Sequence, residues 1–174
     1  NFARTASFGG NNELTSAGNN DVFLAYYSAE GALQWVKAGG GTARDDAFDV
    51  ATAGDHIYIT GGMRGTFRIG GATLNSNGQN DIFMAAFNRS GDLAWAKQWG
   101  GAGADRGAAL ALKGDWLYLG GDFERTVIFD NNVSKTSQGG RDIFVSAHDP
   151  ATGAMRRIWT AGGAAADQLD ALTV

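Results

Sequence analysis

An internal repeat of about 60 residues constrains the fold of this chain more than any other feature. Each copy contains an aspartate-aliphatic-phenylalanine triplet, a turn with glycine, a Gly-Gly pair and a further aspartate, always in that order. The copies span residues 16–41, 76–101 and 137–163. Because separate anchors keep one register, the sequence predicts a protein built from repeated structural units.

The composition narrows the class of repeat. The 174 residues include 27 glycines and a single proline, which is typical of many turns between short strands and argues against a helical bundle. The absence of cysteine excludes disulfides and thiolate metal sites, and with only two histidines we assign no metal centre and no cofactor. A net charge of −4 argues against nucleic acid as a partner, and no apolar run is long enough to span a membrane.

The pattern within one period predicts four short strands. The inner strand consists mostly of small apolar residues, and the second alternates bulky residues before a run of glycine. The third has apolar residues on both faces, so it should be covered on two sides. In residues 47–99 we expect the strands at 47–53, 56–63, 81–88 and 93–99, with a solvated polar loop at 70–80.

Four antiparallel strands with a doubly covered central strand are typical of a β-propeller blade, which packs between two neighbours around an axis. We therefore predict an all-β chain of about three tandem blades, forming a single propeller segment over residues 1–174. The blade parts are residues 1–41, 42–101 and 102–163, and residues 164–174 begin a further blade.

Several repeat motifs together form a pattern that extends over nearly the whole chain. They are Asp81-Ile82-Phe83, Gly91-Asp92-Leu93-Ala94-Trp95, Gly100-Gly101 with Asp105, and Tyr118 with Gly120-Gly121. At these residues the chain resembles the seven-bladed β-propeller repeat family of bacterial secreted and surface proteins. The third copy departs from the pattern, since Arg157 replaces the tryptophan. The resemblance implies a propeller and an extracellular setting, and it names no catalytic residue.

The two ends of the sequence fall inside the repeat. Residues 1–5 align with residues 122–126, so we expect the chain to begin after one second strand and to stop within an inner strand. Such a segment is a partial propeller or one closed by association. It would leave open sheet edges, through which copies can associate.

Aspartates recur at two positions of the repeat, and two interpretations are open for them. They either cap turns by accepting backbone N–H bonds or supply oxygen ligands to a hard cation. We favour capping, because a residue present in every copy is explained most simply by the shared fold. The aspartates are Asp21, Asp81 and Asp142 at the first position, and Asp45, Asp105 and Asp167 at the second.

Ligand binding is expected where the copies differ. Arg44, Asp46, Trp99 and Arg106 occupy variable positions in loops near the expected mouth of the central channel. An aromatic ring beside polar groups stacks on and hydrogen-bonds a sugar or peptide, so we predict these four as binding residues. Packing between blades and surface ion pairing are the alternative roles.

No arrangement of reactive side chains indicates an enzyme. Asp45 and Asp46 are adjacent carboxylates that are expected to point apart, and neither His56 nor His148 accompanies a nucleophile motif. We expect a non-catalytic scaffold or binding module of a secreted or cell-surface bacterial protein, with a protein or glycan ligand or with self-association. The alternatives are a carbohydrate-binding propeller and a propeller glycoside hydrolase or lyase.

Overall fold

The computed structural model describes residues 1–174 and is built from β-strands, with one short 3-10 turn at Asp130–Asn132 and no α-helix. The expectation of an all-β chain is therefore confirmed. The structure holds no helix of the length and apolar character that a membrane crossing requires. The strands are β1 (Thr5–Ser7), β2 (Glu13–Thr15), β3 (Val22–Tyr27), β4 (Leu33–Gly40), β5 (Asp46–Ala53), β6 (His56–Met63), β7 (Thr66–Ile69), β8 (Ala72–Asn75), β9 (Asp81–Asn88), β10 (Leu93–Gly101), β11 (Arg106–Lys113), β12 (Trp116–Ile128), β13 (Ser134–His148) and β14 (Met155–Ala161).

Two groups of four antiparallel strands follow one another along the chain. The middle unit pairs β5, β6, β9 and β10 in that order, and the C-terminal unit pairs β11, β12, β13 and β14. Ahead of them, β3 and β4 form a hairpin, here called the N-terminal hairpin, that corresponds to β9 and β10. The strand positions predicted for residues 47–99 agree with β5, β6, β9 and β10 to within two residues.

The solvated loop predicted at residues 70–80 is wrong in its first half. Residues 66–75 form the β7–β8 hairpin, whose turn Gly70-Gly71 has φ angles of 55° and 90° that suit a tight primed turn. Alternate side chains of β7, Phe67 and Ile69, are buried and fix the hairpin on the core. The sequence signal is short, so the polar residues around it dominated the prediction.

The β7–β8 hairpin links consecutive units. Gly39 and Gly40 at the end of β4 pair with Ile69 and Arg68 of β7. In the same way Gly100 and Gly101 of β10 pair with the end of β12. The last strand of each unit is therefore hydrogen-bonded to the hairpin of the next.

The tryptophan of the repeat makes a second link between units. The Trp35 indole Nε1–H donates to the carbonyl of Arg89 at 2.8 Å, and that of Trp95 donates to the carbonyl of Pro150 at 3.1 Å. Both acceptors lie in the β-turn of the following unit. The turn glycine, Gly153 in the second case, leaves room for the ring, since a Cβ there would lie 2.7 Å from Trp95.

The apolar core lies between units and not within them. One cluster joins the N-terminal hairpin to the middle unit, and the other joins the middle unit to the C-terminal unit. β9 contributes to both clusters, and every residue from Asp81 to Phe87 is buried. The prediction that both faces of this strand are covered is confirmed.

The alignment of the two ends has different outcomes. Phe2 bridges to Asp21 as Phe123 pairs with Asp142, and Arg4 and Arg125 have positive φ angles of 59° and 61°, so residues 1–5 share these backbone features with residues 122–126. Residues 164–174, predicted to begin a further unit, form no strand. β5 and β11 are each held by the strand that follows them, whereas this segment pairs with no strand.

Candidate functional site

The first aspartate of each copy is buried and shares one hydrogen-bonding pattern. One carboxylate oxygen of Asp21, Asp81 and Asp142 accepts the backbone N–H of the residue four positions earlier, at 2.7 to 3.0 Å. The other oxygen, Oδ1, is buried and has no hydrogen-bond partner. The carboxyl group lies against the first glycine of the Gly-Gly pair, where a Cβ would lie within 2.5 Å of it. The invariance of that glycine follows from this contact.

The second aspartate joins neighbouring strands through both of its oxygens. Asp105 accepts the N–H of Gly101 in β10 at 3.0 Å and that of Glu124 in β12 at 3.0 Å. Asp45 does the same with Gly41 and Arg64, both at 2.9 Å. Each carboxylate therefore ties the end of one unit to the next, which is the capping role favoured from the sequence. The structure contains no group of three or more acidic or histidine side chains that is able to hold a metal ion.

Burial of these carboxyl groups disfavours their charged form. Desolvation raises the pKa of Asp45 and of Asp81 to about 6, and it raises the pKa of Asp105 to about 7. Backbone N–H bonds partly offset the effect on each pKa. The charge of Asp81 adds to the increase at Asp105, so the two carboxyl groups of one copy influence each other.

The raised pKa values predict a protein that loses stability as the pH rises. A folded-state pKa above the unfolded value of 3.8 means that protons bind the folded state more tightly. This contribution is complete below the unfolded value and is lost as the pH rises through 6 to 7. We expect the melting temperature to fall between pH 5 and pH 8, as measured by circular dichroism at constant ionic strength.

Asparagine substitutions at the two aspartate positions are expected to affect the melting temperature in different ways. Asp81→Asn removes the buried charge and keeps an oxygen that accepts the Asn77 N–H, so we expect a higher melting temperature than wild type at pH 8 and little change at pH 5. Asp105→Asn turns its nitrogen toward a backbone N–H, so we expect a loss of about 1–3 kcal/mol at both pH values. Stabilisation of the wild type but not of Asp81→Asn by added Ca²⁺ at pH 8 would contradict capping.

Of the four predicted binding residues, Arg44 and Asp46 contact each other, whereas Trp99 and Arg106 have other partners. Nε of Arg44 donates to Asp46 at 2.7 Å, with the arginine exposed and the carboxylate also bonded to the amide of Asn1 at 2.8 Å. Arg106 donates to Asp122 at 2.8 Å, and its guanidinium lies 5.3 Å from the ring centre of Phe48. Arg106 is the first residue of β11, and Arg44 lies two residues before β5.

Trp99 is almost completely buried. Its side chain is 3% exposed, its indole N–H donates to Asp130 at 2.9 Å, and its ring lies 5.0 Å from that of His148. It belongs to the core between the middle and C-terminal units. A stacking role needs an exposed ring face, whereas only 3% of this side chain is exposed.

A charged cluster at the C-terminal unit was missed by sequence reasoning. Asp122 is fully buried between Arg106 at 2.8 Å and Arg141 at 3.1 Å, and Arg141 also contacts Glu124 at 3.4 Å. Gly62 occupies the position of Asp122 in the middle unit. The sequence therefore shows Asp122 as a difference between copies. Its ion pairs with Arg106 and Arg141 depend on the strand register, which the sequence alone does not give.

A serine and a histidine lie side by side in the core of the C-terminal unit. Ser146 Oγ is 2.8 Å from His148 Nε2, and His148 Nδ1 is 3.1 Å from the carbonyl of Gly153. Since a carbonyl only accepts, Nδ1 carries the proton and the serine donates to Nε2. Both side chains are fully buried, and burial lowers the pKa of His148 to about 4. The pair has no access to a substrate and serves as a hydrogen bond in the core.

Exposed aromatic rings form a small groove on the outer face of the C-terminal unit. Trp116 and Trp159 are 38% and 50% exposed, and with Tyr118, Ala147 and Arg157 they line a groove of about 170 Å³. Two indole faces beside a guanidinium provide stacking and hydrogen bonding at one place. Sequence reasoning placed this chemistry at Trp99 instead.

No family model matches the chain. The chain is 28% identical over 136 residues to the regulatory protein FlaEY of Caulobacter vibrioides. The aligned region is 75% of this chain but 14% of that protein, so the chain spans a small part of the relative's length.

Proposed function

We propose that the chain is a segment of a β-propeller that serves as a non-catalytic scaffold or binding module. The observation that supports this most is the stacking of repeated four-stranded units, with the largest buried side chains between them. A blade of a propeller needs a neighbour on each face for the same reason. The hydrogen bonds from Trp35 and Trp95 connect consecutive units at two equivalent places.

The propeller geometry is tested by an experimental structure of the chain. Superposing the middle unit on the C-terminal unit is expected to give a rotation of about 45–90°, the range for four to eight blades, with no shift along the axis. The same axis should relate the N-terminal hairpin to β9 and β10. A shift along the axis would instead indicate an open solenoid and would contradict the proposal.

The hydrogen-bond partners and the burial of the candidate catalytic groups support a non-catalytic role. The carboxylates of Asp45 and Asp46 bind different partners, the first two backbone N–H groups and the second the side chains of Asn1 and Arg44. The serine–histidine pair is closed off from solvent. We expect no turnover in assays with polysaccharide and ester substrates, and hydrolysis that is abolished by Asp46→Asn would overturn the proposal.

Glycan binding at the aromatic groove is the second candidate function. Stacking of sugar rings on Trp116 and Trp159 is the specific interaction that favours it. We expect binding on a glycan microarray to be lost with Trp159→Ala and retained with Ile128→Ala, a control at a residue of similar exposure. An array without signal for the wild type would remove this candidate.

The proposed location is the exterior of a bacterial cell, secreted or at the surface. The support is the motif resemblance and the bacterial source of the similar protein. Fractionation of a bacterium that expresses the protein is expected to recover it outside the cytoplasm. Recovery in the cytoplasm alone would contradict this.

A further inference from the structure

A cavity lies between the middle and C-terminal units, at the end of the sheets where their hairpin turns meet. It has a volume of about 490 Å³, which is within the range of about 300–1,000 Å³ for small-ligand sites. Residues of the β5–β6, β11–β12 and β13–β14 turns line it, and we call it the turn cavity. Ala53, Leu112 and Pro150 form its apolar wall, and none of its lining residues is a lysine or an arginine.

Tyr58 contributes a hydroxyl group to the turn cavity. Its residue is 2% exposed and its backbone pairs with β5 on one side and β9 on the other, so the side chain is the part that lines the cavity. The hydroxyl makes no hydrogen bond to another residue. Burial and, to a smaller extent, the charge of Asp149 raise the pKa of Tyr58, so this hydroxyl stays protonated. A polar group of a buried side chain without a partner is uncommon and indicates a place for a ligand group.

The middle unit shows what binds at the equivalent turn. Arg89 extends over the β5–β6 turn, where its Nε lies 3.3 Å from Asp55 Oδ1 and its Nη2 donates to the carbonyl of Gly54 at 3.1 Å. Pro150 stands in the position of Arg89, because the strand register aligns them and each carbonyl accepts an indole N–H from the preceding unit. The C-terminal unit therefore has no guanidinium of its own at this place.

The groups that bind this guanidinium in the middle unit have counterparts in the C-terminal unit. Gly114-Asp115 repeats Gly54-Asp55 and lines the turn cavity. Asp115 is exposed and forms no ion pair. Asp149, the other carboxylate of the cavity, pairs with Arg156 at 3.0 Å and accepts two N–H groups of its own turn. The unpaired charge of the cavity is therefore that of Asp115.

We propose that the turn cavity binds the guanidinium group of an arginine side chain from a partner peptide. Its N–H groups donate to the Asp115 carboxylate and the Gly114 carbonyl, as those of Arg89 do at the equivalent turn. A further N–H donates to the Tyr58 hydroxyl. A guanidinium has five donors in one plane and stacks on rings such as that of His56, which lies 6.0 Å from the Tyr58 ring. The proposal deepens the binding-module function, on which it rests.

The probe is a labelled peptide with a single arginine between glycine and serine residues. Its binding to the whole chain is followed by anisotropy, and NMR follows the ring signals of His56 and Tyr58. We expect saturable binding with shifts of both rings. A peptide with citrulline, a neutral side chain of nearly the same shape, is expected to bind at least about tenfold more weakly, because it carries no charge for Asp115. N-acetylarginine amide is expected to compete with the peptide but to bind more weakly.

Two variants alter the turn cavity, and a third serves as the control. Asp115→Asn removes the unpaired carboxylate and is expected to weaken peptide binding about tenfold or more. Pro150→Arg gives the C-terminal unit the guanidinium that the middle unit has at Arg89, and it is expected to abolish binding. Asp92→Asn removes an exposed carboxylate at another turn and is expected to leave binding unchanged. Melting curves of the three variants check that the fold is retained.

Four outcomes would overturn the proposal. They are no shift of either ring at about 10 mM peptide, equal binding of the arginine and citrulline peptides, binding that either cavity variant leaves intact, and binding of N-acetylarginine amide as tight as that of the peptide. The last result would assign the cavity to a small guanidino compound. None of them alters the rotation between units, which tests the propeller separately.

Discussion

Replacing Gly101 with alanine is expected to lower the free energy of unfolding by about 3–5 kcal/mol. Gly101 ends β10 where that strand pairs with β12 of the next unit. A Cβ at this position would lie 1.9 Å from the carbonyl oxygen of Thr126, a backbone atom that cannot rotate away. The substitution therefore separates two strands that join consecutive units. Urea unfolding followed by circular dichroism measures the loss.

The third copy supplies a matched control for this substitution. Gly163 occupies the same position of the repeat, and a Cβ there has no neighbour within 4 Å. We expect Gly163→Ala to change stability by less than about 0.5 kcal/mol. Similar losses for both variants would mean that the cost arises from the glycine backbone and not from the contact between units.

Phe83→Ala is expected to cost about 3–5 kcal/mol, because it opens a cavity in the core between the N-terminal hairpin and the middle unit. The ring of Phe83 is fully buried and lies 4.7 Å from that of Phe67. The surrounding residues come from several strands, so they cannot collapse into the space without moving the ladder. Urea unfolding of the variant against wild type gives the difference in free energy.

Phe48→Ala removes a ring of the same size from an exposed position. Phe48 is 46% exposed, and its ring centre lies 5.3 Å from the Arg106 guanidinium carbon. We expect a loss of less than about 1 kcal/mol. A cost equal to that of Phe83→Ala would contradict the location of the core between units.

The strands were predictable because their signals are local and repeated. The apolar run within residues 81–88 and the Gly-Gly pairs mark β9 and the ends of β4 and β10 without knowledge of the tertiary structure. The β7–β8 hairpin was missed, since Phe67 and Ile69 provide only two apolar residues next to a polar stretch. Its stability comes from pairing with β4, which local sequence does not report.

The candidate site was less predictable, because it depends on which side chains the stacking of units covers. The aspartate caps follow from the repeat, and the carboxylates accept backbone N–H bonds as expected. Trp99 was expected in a loop near the channel mouth because the copies differ at this position, yet the next unit covers it. The exposed rings of Trp116 and Trp159 differ from Trp99 in tertiary contacts and not in local sequence.

The central claim is that a unit of this repeat stays folded only against its neighbours. Expression of residues 42–101 alone, which contain all four strands of the middle unit, tests it most directly. Near-ultraviolet circular dichroism and urea unfolding of this fragment are compared with those of the whole chain. We expect the fragment to lack a cooperative transition and fixed aromatic packing, whereas a cooperative transition of comparable stability would contradict the account.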